Sequence, residues 1–165
     1  MGLDIMIVRG SVAGWRVYDA LDQRRTILKR RRPEHETPEA EARRERLDHV
    51  LLRAMYRARR RHALPFPDGV NDYIARGFQI YDTPLYDDGL LWDVLALYWD
   101  EYLPQDWHEV LRESDALIAR YDAGEFEEEY GKCESMRVVL ERISTVAKWI
   151  IETQNPDEYR SLYSR

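Results

Sequence analysis

Asp93 and Asp100, with Glu101 beside the second, are the carboxylates best spaced for acid–base chemistry in this chain. They lie seven residues apart in an otherwise apolar run, which puts both aspartates on one helix face. Burial on such a helix would raise their pKa values towards those of a general acid. Their axial separation would be about 10 Å at 1.5 Å per residue, too far to share one ion unaided. A narrow polar stripe, facing water or pairing with arginine, is the plainer reading. Cys133 would need a nearby histidine base to act as a nucleophile, and the acidic run from Glu125 to Glu129 raises a thiol pKa rather than lowering it. His35, His49, His62 and His108 are expected in a loop, on a charged helix side, at a helix end and just inside a helix start, so no three gather as metal ligands. The sequence has no glycine-rich phosphate loop, no His-Glu-x-x-His, no Gly-x-Ser-x-Gly and no Glu-x-x-His. No catalytic residue, metal site or cofactor is expected.

Two features carry more weight. The first is basic: Arg24, Arg25, Lys29, Arg30, Arg31 and Arg32, followed by Arg57, Arg59, Arg60 and Arg61. Clustered arginines attract phosphates, so nucleic acid is one expected partner. Only Tyr56 accompanies them, which is too little aromatic surface for stacking single-stranded bases. The second is aromatic. Ten of the 19 aromatic residues fall between Phe66 and Trp107, and Tyr73, Phe78, Tyr81 and Tyr86 lie in an irregular connection where not all can be buried. Tyrosine and tryptophan anchor protein interfaces, so these four form the expected surface for a protein partner. Ordinary packing over a neighbouring helix is the alternative.

The elements that must position these residues are mostly helical. Leu3 to Val8 and Trp15 to Tyr18 read as short strands around a turn at Gly10 to Gly14, a small β-hairpin within residues 1–18. Asp19 would cap a short helix through Leu21, Ile27 and Leu28, ended by Pro33. Thr37-Pro38-Glu39 is a strong helix start, a capping hydroxyl followed by a preset φ and an acid. The helix it opens spans 37–62, with Leu47, Leu51, Ala54, Met55 and Ala58 as its seam. Three prolines and three glycines at positions 65 to 89 make an irregular or partly stranded connection. An apolar helix is expected over 89–103, ended by Pro104. Asp106 and Glu109 resemble a capping box opening a helix over 106–123, which Gly124 closes. The last long helix spans 126–153, with Met136, Val139, Leu140, Ile143, Ala147 and Ile150 as its seam, and a short tail follows Asn155-Pro156. The expected fold is mainly α: one domain over 1–165, four to five helices with a minor β-hairpin.

With 165 residues, 44 % of them apolar, the chain is long enough for a real core. Its net charge of −6 hides a division: residues 1–62 carry +7 and residues 63–165 carry −13. Such asymmetry points to an anionic partner or to mutual neutralisation of the two parts. No apolar run suffices to cross a bilayer, the opening residues make a poor secretory signal, and one cysteine supports no intrachain disulfide. A cytoplasmic location without membrane contact is therefore expected, with self-association left open. The opening Met1-Gly2-Leu3-Asp4-Ile5 resembles that of small uncharacterised phage and bacterial proteins that begin Met-Gly-Leu-Asp. The resemblance covers only those residues and implies an accessory or interaction protein rather than a metabolic enzyme. The sequence thus favours a non-enzymatic helical protein that binds another macromolecule, a protein first and nucleic acid second. A carboxylate-based enzyme comes third.

Overall fold

The computed structural model describes residues 4–30, 33, 35–67, 78–79, 103–130, 134–153 and 155–164. In chain order these form β1 (Asp4–Arg9), α1 (Val12–Arg30), α2 (Pro38–His62), β2 (Phe78–Gln79), β3 (Leu103–Pro104), α3 (Trp107–Asp122), α4 (Glu127–Tyr130), α5 (Glu134–Thr153), a 3-10 turn (Pro156–Glu158) and β4 (Tyr159–Ser164). The protein is mainly helical with a minor antiparallel β component, as its sequence suggests. It divides into two compact units, Gly10–Pro65 and the remainder.

The unit Gly10–Pro65 is a helical hairpin. Ser11 caps α1: its hydroxyl accepts from the Gly14 amide at 3.1 Å, and its carbonyl accepts from Trp15 at 3.0 Å. Residues 15–18, expected to form a returning strand, are thus the first turns of a helix. Trp15 and Tyr18 sit three residues apart on its buried face, rings edge-to-face at 5.9 Å, a packing that outweighs their strand propensity. Asp19, expected as a cap, is instead mid-helix. Thr37 caps α2 as expected, accepting from the Ala40 amide at 3.3 Å, with Pro38 in the first turn. Met55 and Ala58 of the expected seam are buried and Leu51 and Ala54 half-buried, but Leu47 is 45 % exposed. The helices run antiparallel, since Ser11 donates its backbone N–H to the His62 carbonyl at 2.9 Å while Arg25 reaches Asp48. Where the start of α1 meets the end of α2, a Cβ on Gly14 would lie 2.2 Å from the His62 Cβ, so only glycine permits this approach.

The second unit is built on α3, α5 and a four-stranded antiparallel sheet of order β2-β1-β4-β3. The tail expected after Pro156 is instead β4, an inner strand. It pairs with β1 along its whole length, from Asp4↔Ser164 to Arg9↔Tyr159. Leu103, expected at a helix end, lies in β3, which adds only two residues, Leu103↔Ser161 and Pro104↔Arg160. Beyond it the Gln105 side chain takes over from backbone, its Oε1 accepting from the Ser161 amide at 2.8 Å. The 89–103 helix otherwise lies outside the described residues.

The inner faces of α3 and α5 hold the core. All six residues of the expected α5 seam are buried, as are Trp107, Val110 and Leu117 of α3. The helices run antiparallel, tied by Ser144 to Asp115 at 2.5 Å and Arg137 to Asp122 at 2.8 Å. Trp107 Nε1 donates to the Tyr159 carbonyl at 3.1 Å, locking the start of α3 onto β4. Tyr159 in turn packs edge-on against Trp149, ring centroids 5.6 Å apart. Asp106 caps α3 by accepting from the His108 and Glu109 amides, while the Glu109 carboxylate pairs with Arg112. Gly124, at φ +80°, closes α3: it donates to Tyr121 and Glu125 donates to Arg120, both backbone to backbone. Phe126, expected as the first residue of the last helix, is a buried plug under the Arg120 guanidinium. The helical segments α4 and α5 follow it, with residues 131–133 between them outside the described residues.

Ile143 is fully buried at the centre of this core, so Ile143→Ala should cost about 2–5 kcal/mol in urea unfolding. Exposed Val138, one turn away on the other face of the same helix, should tolerate alanine to within about 0.5 kcal/mol. Equal losses at the two positions would contradict the packing described.

Candidate functional site

The division into units coincides with a division of charge. Gly10–Pro65 carries +7, and the rest of the chain carries −13. Within the basic unit, between Asp48 and Asp68, no carboxylate occurs at all.

Helix geometry sorts the arginines of α2. With Met55 and Ala58 turned towards α1, Arg46, Arg53, Arg57 and Arg60 fall within roughly 60° of one another on the opposite side, at 100° per residue. All four are exposed, as are neighbouring Arg43 and Arg61, and none of the six forms an ion pair with a described residue. From Arg46 to Arg60 this ladder is about 21 Å long. Val50 (61 % exposed) and Tyr56 (49 %) flank it. On α1, Arg16, Arg24 and Arg30 are also exposed.

Other arginines are spent on structure. Arg25, one of the expected phosphate-binding residues, is committed to Asp48 across the hairpin, Nε to Oδ1 at 2.7 Å and Nη2 to Oδ2 at 3.4 Å. Burial pushes the Asp48 carboxyl up, but the hydrogen bond and charge of Arg25, with smaller help from Lys29 and His49, hold it below its ordinary value. Arg44 likewise holds Glu36 at 3.0 Å, pinning the segment before Thr37 to α2. Of the remaining expected basic residues, Arg24, Lys29 and Arg30 are exposed near the end of α1, whereas Arg31 and Arg32 lie outside the described residues. Arg57, Arg60 and Arg61 belong to the exposed surface, and Arg59 is half-buried.

The expected protein-contact residues Tyr73, Tyr81 and Tyr86 lie outside the described residues. Phe78 falls in β2, where only the backbone is described. Asp93, Asp100, Glu101 and Cys133 are also outside. Among the histidines, His35, His49 and His108 are exposed, and His62 is half-buried with Nδ1 3.4 Å from the Ser11 hydroxyl. No three potential metal ligands cluster among the described residues. Among these residues, too, no helix is long and apolar enough to cross a membrane.

Reading the arginines as linear clusters missed Arg46 and Arg53. The signal available was the spacing of seven, four and three residues from Arg46 through Arg53 and Arg57 to Arg60, which keeps all four on one helix face. No family model, curated protein or solved structure matches this chain.

The Arg25–Asp48 pair makes the hairpin sensitive to acid. A carboxyl whose folded pKa is depressed contributes stability above its unfolded pKa and loses it as pH falls through the folded one. Asp48→Asn should therefore cost about 1–2 kcal/mol near neutrality. The difference between variant and parent should shrink below about pH 4, as read by urea unfolding across pH. A difference independent of pH would show that the pair contributes no charge-dependent stability.

Proposed function

We propose that this chain is a non-enzymatic, cytoplasmic accessory protein that works by binding another macromolecule, and that its contact surface is the basic helical hairpin. One observation carries this reading: an exposed, acid-free arginine ladder on a rigid helix, in a protein whose net charge is negative. Exposed like charges on one face repel one another and add nothing to the fold, so their use is external. The partner that suits them is anionic. The aromatic segment expected to meet a protein partner adds no support, because the side chains of Tyr73, Phe78, Tyr81 and Tyr86 lie outside the described part of the chain.

A polyanion column tests the proposal. Despite a net charge of −6, the protein should be retained on immobilised heparin at low salt and elute as salt screens the contact. Replacing Arg24, Arg30, Arg53 and Arg57 with glutamate should send it into the flow-through. Flow-through of the parent protein at low salt would overturn the reading.

A further inference from the structure

The anionic partner can be narrowed by asking which polyanion matches a row of guanidinium groups along one helix face. We propose that the outward face of α2, centred on Arg46, Arg53, Arg57 and Arg60, binds the phosphate backbone of double-stranded nucleic acid without reading its sequence. This rests on the hairpin being the contact surface, and it names the partner.

Three observations favour a duplex. First, α2 has eight arginines and no lysine. The planar guanidinium fork meets two oxygens of one phosphate or carboxylate at once, and a run of such forks suits a partner that repeats anionic groups at close, regular spacing, as a duplex backbone does. Second, the ladder runs along one face of an uninterrupted helix that is held in place from behind. Met55 and Ala58 seat α2 on α1, and Thr37, Arg44 and the Ser11–His62 bond fix its two ends. A helix about 10–12 Å across suits a major groove about 12 Å wide, with phosphates lining both rims. Third, stacking surface is nearly absent. Binding a single strand needs several aromatic platforms, and this face offers Tyr56 alone.

The same face explains why sequence would not be read. Of the base-reading side chains, the exposed surface from Arg46 to Arg61 offers arginine, which pairs with guanine, but none of the asparagine, glutamine or exposed acidic groups that recognise adenine and cytosine, so it lacks the set needed to specify a mixed sequence. A protein partner is the weaker fit, because interface centres are depleted of charge and aromatic-rich, whereas here charge occupies the centre.

The experiment measures fluorescence anisotropy of the whole protein against four probes: a mixed-sequence DNA duplex of about 20 bp, two turns long, an RNA duplex of equal length, one of the DNA strands alone, and polyglutamate. The duplexes should bind more tightly than the single strand or polyglutamate, and scrambling the duplex sequence should change little. The DNA or RNA arm that binds more tightly identifies the duplex form. For B-DNA, contacts from the four arginines should give a log–log salt slope of about −3.6. Replacing Arg53, Arg57 and Arg60 with glutamine should reduce that slope by about 3, while lysine at the same positions should keep the slope and weaken binding. Replacing Arg112 and Lys148, exposed residues of the other unit, with glutamine should change neither. All variants alter exposed side chains, and unchanged circular dichroism and melting confirm that they fold. Equal binding to polyglutamate, preference for the single strand, or a slope unmoved by the triple glutamine variant would overturn this inference while leaving anionic binding by the hairpin standing. Binding to none of the probes, with no heparin retention, would remove both.

Discussion

Once Met55 and Ala58 are buried against α1, the direction of every arginine on α2 is settled by a rotation of 100° per residue. The helix has little apolar surface to offer: two buried residues and a few half-buried ones beside them. No other face could be turned inward without burying guanidinium groups, each costing several kcal/mol unless paired. The seam and the ladder are therefore two aspects of one constraint. Among the half-buried charges, Arg25 with Asp48 and Arg44 with Glu36 are matched within the hairpin.

The other unit answers a different constraint. Its sheet joins segments from opposite ends of the sequence, and β1–β4 pairing brings Arg9 to Glu158 at 2.8 Å across a separation of 149 residues. Tyr159 is the hub of this arrangement. Its carbonyl takes the Trp107 indole, its ring meets Trp149, and the Arg9 guanidinium lies 5.7 Å from its ring centre. Burial pushes the Tyr159 hydroxyl pKa up, with Arg9 opposing and Glu158 reinforcing the shift. A strand end, a helix start and a helix face thus converge on one residue near the end of the sequence.

What was legible in the sequence followed local rules. Thr37 as a cap, Gly124 as a terminator and the α5 seam from Met136 to Ile150 all depend on neighbours within a few positions, and the structure agrees with each. The errors arose where distant partners decide. Trp15 and Tyr18 have strand-like side chains, but the buried face of a helix was the better place for them. Residues 159–164 look like a tail until β1 is set beside them. Leu47 fits the seam by spacing and is exposed all the same, because a period says which side a residue occupies and not how closely that side is covered. The basic surface was half legible: the arginines were visible as runs, but their alignment needed the helix phase that Met55 supplies. Arg25 looks like a phosphate ligand in the sequence because its partner, Asp48, stands 23 residues away.

The separation of the two strands also bears on how the chain emerges during synthesis. The hairpin sequence is complete at Pro65, whereas β1 lacks its long partner until Ser164 has been made. At ordinary elongation rates that interval is about 5–20 s. Throughout its early part the nascent chain is strongly cationic, because nearly all its carboxylates beyond Asp48 are still to come. The arginine face is then presented to any polyanion nearby before the acidic remainder has made the whole protein anionic.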